Sequence, residues 1–397
     1  MTAVALWTYP WTLHREGIDD ACERLEECGV DAVNVASHYH SVRSMQARFP
    51  DELFRTYAGG CYFEPDSDDR FDDVPIEPPV NRVGSWDDPL AEIVDGVHDN
   101  GLAVNAWTVC LHNTRLGATN PDYRIESAFG DAHDHSLCPS HPDVRDYFAT
   151  VVGSVRDRGV DEIQLESIGF PSAFHDHGSQ YGHDKRQTVT TDTEEFLLSQ
   201  CFCDGCRAAA ESHSVDFDRA RERVRELLER SLADPAHSPP SVDDLADREP
   251  VVADLLEFRA SVIEALLERL ADASGSTPLN YYVMEAYGFE PSTLPYAGVR
   301  FETLERHLDR VTALCYVSES EVARDRITAL ERRVDLPIDA GITLDPDVVD
   351  RPEQVGDLVD AIRTVTDGTI SIYHHSLATE THLEWIAEAL ESESEVE

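Results

Sequence analysis

The chain has 397 residues, 41% of them hydrophobic, and a mean hydropathy of −0.36, which suits a globular protein and excludes a membrane class. Its formal net charge of −46, from 78 acidic against 32 basic residues, repels nucleic acid and anionic lipid, and so excludes both as partners. Nine cysteines, an odd number unevenly clustered, fit reduced thiols with some bound to metal rather than a disulfide scaffold.

The N-terminal stretch "MTAVALWTYPW" has neither a basic region nor an alanine-type cleavage site, so a cytoplasmic protein is expected. No apolar run reaches the roughly 18 residues of a membrane span. The acidic residues are spread over every segment and read as a solvated coat of the halophilic kind, where salt screens the self-repulsion. A surface for cations or a basic partner is the other reading. Lys185 is the single lysine; every other cation is arginine.

In chain order, "VALWTYP" (4–10) reads as a strand, followed by a helix whose Ile18, Cys22, Leu25 and Cys28 share a face. "VDAVNVASHYH" (30–40) is the second strand. A polar, proline-rich insertion covers 41–89. The helix "PLAEIVDGVHDNG" ends in glycine and leads to the strand "LAVNAWTVCLH" (102–112). The helix starting at Pro142 precedes "VDEIQLESI" (160–168). Further strands are expected at 279–286, 311–318, 336–344 and 368–376. Long loops at 113–142 and 169–193 and a helical excursion at 194–273, broken by "ADPAHSPPS", interrupt the rhythm. Eight apolar strands alternating with helices predict a parallel sheet, and their number favours a (β/α)8 TIM barrel with long βα-loop insertions over an open doubly wound sheet. No GxGxxG follows the first strand. One domain is expected over 1–390, with an acidic tail at 391–397.

Sites in such barrels form at the C-terminal ends of the strands. Read in order, those ends offer Trp7 and Tyr9; His38 and His40; Trp107, His112 and Asn113; Glu166; Glu285; Tyr316; Asp339 and Asp345; then His374 and His375. Aromatic rings beside carboxylates and imidazoles suit a small-molecule sugar or oligosaccharide, whose C–H faces stack on the rings. Trp7 and Trp107 also serve the simpler reading of barrel packing. Glu166 stands out, because Ile163 and Leu165 suit a buried strand where an acid is costly unless paired or employed. General acid/base work, binding of a sugar hydroxyl and a structural ion pair are its three candidate roles. Histidines give a rival signal. "HYH" (38–40) resembles the HxH of metal-dependent hydrolases, but after the second strand rather than the first, and "HDHGSQYGHDK" (175–185) suits either a metal or an adaptable polar loop.

The segment "CFCDGC" puts Cys201, Cys203 and Cys206 within six positions, three of the four ligands a zinc site needs; Cys138 in "SLCPSHPDVRDY" is the candidate fourth. Three reduced thiols beside a helix start are the simpler alternative. The order Cys138-Pro-Ser-His-Pro-Asp-Val-Arg145, then Glu166, then Cys201-x-Cys203-x2-Cys206 resembles family 42 glycoside hydrolases, β-galactosidases on a (β/α)8 barrel. It covers mainly 100–210. More broadly the chain looks like glycoside-hydrolase-like barrel proteins. The resemblance implies a structural zinc on the four cysteines and an acid/base role for Glu166. Two positions depart from that pattern. Leu165 stands where the family has Asn, and "IDAGITLDPD" offers Asp339 and Asp345 where the family has a glutamate nucleophile. Glu285 is a substitute from another strand. The expected activity is cleavage of a glycosidic bond by carboxylate acid/base chemistry. A divalent-metal-dependent sugar isomerase or lyase and a non-catalytic carbohydrate-binding barrel are the alternatives.

Overall fold

The computed structural model describes residues 2–65, 70–174, 185–189, 191–213, 215–285 and 289–391. Eight strands pair in chain order: β1 (Val4–Thr8), β2 (Ala32–Tyr39), β3 (Ala103–Val109), β4 (Glu162–Glu166), β5 (Leu279–Tyr282), β6 (Arg310–Leu314), β7 (Ile338–Thr343) and β8 (Ile370–Tyr373). Every neighbouring pair is parallel, and β1 pairs with both β2 and β8, so the sheet closes on itself. Helices cover the outside between strands, giving an α/β TIM barrel. Each strand lies within a segment read from the sequence, extended by a residue at most. No helix among the described residues is long and apolar enough to cross a membrane.

Strand alternation divides inside from outside. In β4, Ile163 and Leu165 pack in the main apolar core, while Glu162, Gln164 and Glu166 alternate with them on the other face. That second face carries a chain of polar contacts. Gln164 Nε2 donates to Glu162 at 2.8 Å, the Tyr282 hydroxyl donates to Gln164 at 2.5 Å, and Trp7 Nε1 donates to Tyr282 at 2.6 Å. The polar groups of this chain of contacts remain tolerable because each finds a partner.

Asp339 belongs to the foot of this network. It is the second residue of β7, not near its C-terminal end. Its carboxylate takes two bonds from Arg310, at 2.6 and 2.9 Å, and accepts further from Asn280 and the Thr369 N–H.

The insertions rise from the opposite end. Residues 41–89 form an antiparallel hairpin (Val42–Met45 with Phe54–Tyr57) and a short strand, Gly60–Cys61, pairing with His38 and Tyr39. Arg48 from this segment pairs with Glu16, at the end of the first helix, and donates to the His375 carbonyl at 2.9 Å, tying the insertion to the segments that follow β1 and β8. The loop after β3 holds a helix (Thr114–Thr119) and a hairpin (Arg124–Glu126 with Ala132–Leu137), and five helices between Asp192 and Ser274 precede β5.

Asp339→Ala is expected to lower unfolding free energy by about 3 kcal/mol, as breaking a buried ion pair does. Urea unfolding followed by circular dichroism checks this; a loss under about 0.5 kcal/mol, the scale of an ordinary surface change, contradicts it.

Candidate active site and a separate cysteine cluster

A cavity of about 1090 Å³ opens at the C-terminal ends of the strands. Its floor and walls include Trp7, Tyr9, Trp107, Glu166, Glu285 and Tyr316, together with His40 and His112. Of the fourteen candidate residues at strand ends, these eight come together. Tyr39, Tyr57, Tyr282 and Tyr373 line it as well and were not singled out from sequence. Tyr39 sits between the two histidines of "HYH" and Tyr373 just before His374, so a search for aromatics flanking the histidines would have found both. Tyr57 lies in the insertion, where no periodicity announces a partner.

Glu166 ends β4, and the chain turns at once: Ser167 has φ of 56°, a conformation that costs a non-glycine residue energy and tends to mark functional sites. Trp107 Nε1 donates to Glu166 Oε2 at 2.6 Å. Burial pushes the Glu166 carboxyl up to about 7, against which the Trp107 bond acts only partly. Glu285 is likewise buried and raised to about 7; burial is the main cause, its hydrogen bonds oppose it, and the Glu166 charge adds to it. Glu285 Oε1 accepts from the Tyr281 hydroxyl and from the Gly169 N–H, both at 2.9 Å. Two carboxyls that titrate near neutrality on one cavity can give and take protons there.

The aromatic wall is braced internally. Trp7 and Trp107 meet edge to face at 6.5 Å, and Tyr39 meets Trp107 at 4.5 Å. His40 stacks on His112 at 5.1 Å.

Six candidates lie elsewhere than expected. A register shift between Ala36 and His38 turns His38 out of the barrel, where Nδ1 meets the Val109 carbonyl at 2.6 Å and Nε2 the Tyr147 hydroxyl at 3.3 Å. Burial lowers its pKa to about 4, so it is a neutral core histidine. Asn113 caps the helix Thr114–Thr119, accepting from the N–H groups of Arg115 and Leu116. His374 is buried against Tyr9, ring centroids 4.2 Å apart, with Nδ1 accepting from the Ser376 N–H. His375 bonds Thr8 at 2.9 Å and faces Glu16 at 3.4 Å. Asp345 is exposed and accepts from the Asp347 N–H. Asp339 is held by Arg310 at the far end of β7. None of these six lines the cavity. Lys185 is exposed, and the rest of the histidine-rich stretch 175–185 lies outside the described residues.

The four cysteines form a second centre that does not line the cavity. All are buried, and their sulfurs lie within 4.8 Å of one another. Cys138 Sγ is 3.5 Å from Cys206 Sγ and 3.7 Å from Cys201 Sγ. A disulfide needs about 2.05 Å, whereas a tetrahedron with metal–sulfur bonds of about 2.3 Å spaces its sulfurs about 3.8 Å apart. The donor set therefore fits a metal ion. Backbone N–H groups of Glu126 and Cys206 point at Cys201 and Cys203, and Ser140 Oγ lies 3.1 Å from Cys206 Sγ, as suits sulfurs carrying negative charge. The cluster joins the loop after β3, through Cys138, to the loop after β4. Among the described residues it is the one group of three or more ligand-type side chains close enough to share an ion.

No protein-family model and no curated protein matches the chain. Among solved structures, the catalytic domain of β-amylase from Paenibacillus polymyxa superposes with a TM-score of 0.53 at 10% identity, over 98% of both chains. β-Galactosidases from the psychrophilic Marinomonas ef1 and from Bacillus circulans sp. alkalophilus each give a TM-score of 0.56 at 12% identity. They are matched over 98% and 100% of this chain but 59% and 56% of their own, so the chain spans little more than half their length. At such identities the likeness is one of fold: this chain has the eight-stranded parallel barrel seen in glycoside hydrolases.

Proposed function

We propose that the protein hydrolyses a glycosidic bond of a carbohydrate held in the large cavity, with Glu166 giving a proton to the leaving oxygen and ionised Glu285 as the second carboxyl. A water supplies the hydroxyl that ends on the anomeric carbon and the proton that restores Glu166. The observation that carries this reading is the pair of buried carboxyls, each raised to about 7, on adjacent strand ends of one aromatic-walled cavity. Glycoside cleavage needs a protonated and an ionised carboxyl on either side of the bond. Glu166 has one donor, Trp107, to stabilise its anion, which suits the acid; Glu285 has two donors on Oε1, which suits the ionised partner. Asp339, bound by Arg310, serves structure in this scheme, and Asp345 has no part. The fold likeness to a β-amylase and to β-galactosidases agrees with a sugar substrate.

A sugar-binding barrel without turnover is the second reading, favoured by one observation: both bonds to Glu285 hold it to its own barrel, as they would a purely structural acid. A divalent-ion isomerase or lyase finds no ligand set among the described residues beyond the four cysteines. We assign the cysteine cluster to zinc. Four thiolates close the coordination shell and leave no position for water, so the ion would hold the loops flanking Glu166 rather than take part in bond cleavage. Nine free cysteines agree with a reducing, cytoplasmic setting.

Glu166→Gln is expected to lower hydrolysis of a nitrophenyl glycoside and oligosaccharide panel about 10³-fold with metal content and melting temperature retained; unchanged turnover removes Glu166 from the mechanism. The raised Glu166 carboxyl binds its proton more tightly in the folded than in the unfolded chain. Its contribution to stability is thus full below the unfolded value near 4.5 and is lost as pH rises through about 7. Urea midpoints should therefore fall between pH 5 and 7.5 less in Glu166→Gln than in wild type; parallel profiles contradict the shift. Cys206→Ser should lose one zinc per chain by elemental analysis and lower the melting temperature, whereas wild-type protein purified with no tightly held metal would contradict the assignment.

A further inference from the structure

We propose that His141 belongs to the metal centre as a donor to its thiolates: the ring Nε2–H binds Cys203, and this bond governs how long the ion is held. The inference rests on the reading that the four cysteines hold an ion. His141 Nε2 lies 3.5 Å from Cys203 Sγ. A cysteine that binds a metal has given up its proton, so the bond has one direction, from the ring nitrogen to the sulfur.

The ring is fixed in that place from several sides. The His141 N–H donates to the Cys138 carbonyl at 3.3 Å, which closes the turn after the first ligand, and Pro142 then starts the helix Pro142–Arg156. Tyr123 meets the imidazole edge to face at 5.2 Å, and its own hydroxyl is tied to Asp143 at 2.8 Å. On another side the ring lies against Gly205, between two of the ligands. A Cβ there would stand 2.5 Å from His141 Cδ2 and 2.6 Å from Nε2, closer than real contacts allow. The glycine of "CFCDGC" thus leaves the room that the histidine of "CPSHP" fills.

The chemistry of the donor set calls for such a bond. Four thiolates around a divalent ion leave a surplus of negative charge among buried residues, and buried charge is costly unless hydrogen bonds meet it. Among the described residues, Ser140 and His141 are the two side chains outside the four cysteines within hydrogen-bond distance of these sulfurs. Both follow Cys138 directly, so one short segment brings a ligand and two donors. They differ in what else they touch. Cys206, which Ser140 meets, is fully buried, whereas Cys203 is 5% exposed. His141 also lines a cavity of about 480 Å³ together with Asp204 and Gly205, and none of the cysteines lines it. The imidazole therefore covers the sulfur on a side from which water or a chelator approaches.

Release of the ion to the chromogenic chelator 4-(2-pyridylazo)resorcinol, followed by absorbance on the full chain, tests this. His141→Phe keeps a ring over Gly205 and removes the donor. It should purify with the same metal content and circular dichroism as wild type but lose the ion about tenfold faster. His141→Gln places an amide N–H near the position of Nε2 and should recover most of the wild-type rate. In protein loaded with cobalt(II), the thiolate-to-metal charge-transfer band should move to longer wavelength in His141→Phe and return in His141→Gln, because a hydrogen bond lowers the energy of the sulfur lone pair it meets. Gly205→Ala pushes the ring aside without removing it and should move the band the same way, so the test stands even where the phenylalanine variant fails to fold. A wild-type rate and band in His141→Phe or in Gly205→Ala, or a faster loss that His141→Gln does not slow, would overturn the donor role while leaving the ion in place. Wild-type protein that purifies without tightly held metal and takes up no cobalt removes the metal reading and this inference with it.

Discussion

Taking a carboxyl group out of water costs free energy unless the group is paired with a cation or holds its proton more tightly, and the mouth of this barrel takes the second course. Among the described residues Glu166 meets an indole N–H but no arginine or lysine, although arginines pair with carboxylates elsewhere in the molecule. Its neighbour Glu285 is kept from cations in the same way. The contrast with Asp339 is instructive. All three acids are buried, but Asp339 is bound by Arg310, whereas the two glutamates meet neutral donors and are pushed to about 7. Titration near neutral pH follows from those surroundings, not from residue type.

The parts that surround the two glutamates are held from several directions. From below, the polar chain Glu162, Gln164, Tyr282, Trp7 fixes the rings that line the cavity floor. From one side, the cysteine cluster fastens the loop after β3 to the loop after β4. From the other, the Arg48–Glu16–His375 group fastens the insertion to the segments that follow β1 and β8. There the charges win over desolvation: burial alone would raise Glu16, yet His375 and Arg48 bring it down to about 2. Buried ion pairs hold the frame, and the unpaired acids are left to the cavity.

Much of the fold could be read from the sequence, because strands of a parallel barrel are apolar runs separated by helical periods, and eight such runs were there to be counted. The inner face was harder. Glu166 drew notice as an acid in an apolar strand, but Glu162 and Gln164 share its face, so polarity does not distinguish it; its height in the barrel does. Asp339 was misplaced because an apolar run does not say which of its residues is first in the strand. His38 was misplaced because a bulge reverses which face a residue takes, and periodicity cannot register one extra residue. Asn113 and His374 gave no sign of their capping and packing roles, which depend on neighbours distant in sequence. The cysteine cluster was legible because ligand spacing is local for three of its four members. Trp11 and Tyr57 could not be joined, since their contact spans a helix and an insertion brought together only by folding.

The most direct measurement is the titration of the glutamate side-chain carboxyls by carbon-13 NMR in selectively labelled protein, with Glu166→Gln to identify the signal. A resonance titrating near 7 in wild type and missing from the variant is the predicted result. If the signal lost in the variant instead titrates near the ordinary glutamate value of about 4.3, the carboxyl at the end of β4 is solvated or paired, and the acid/base role assigned to it is contradicted.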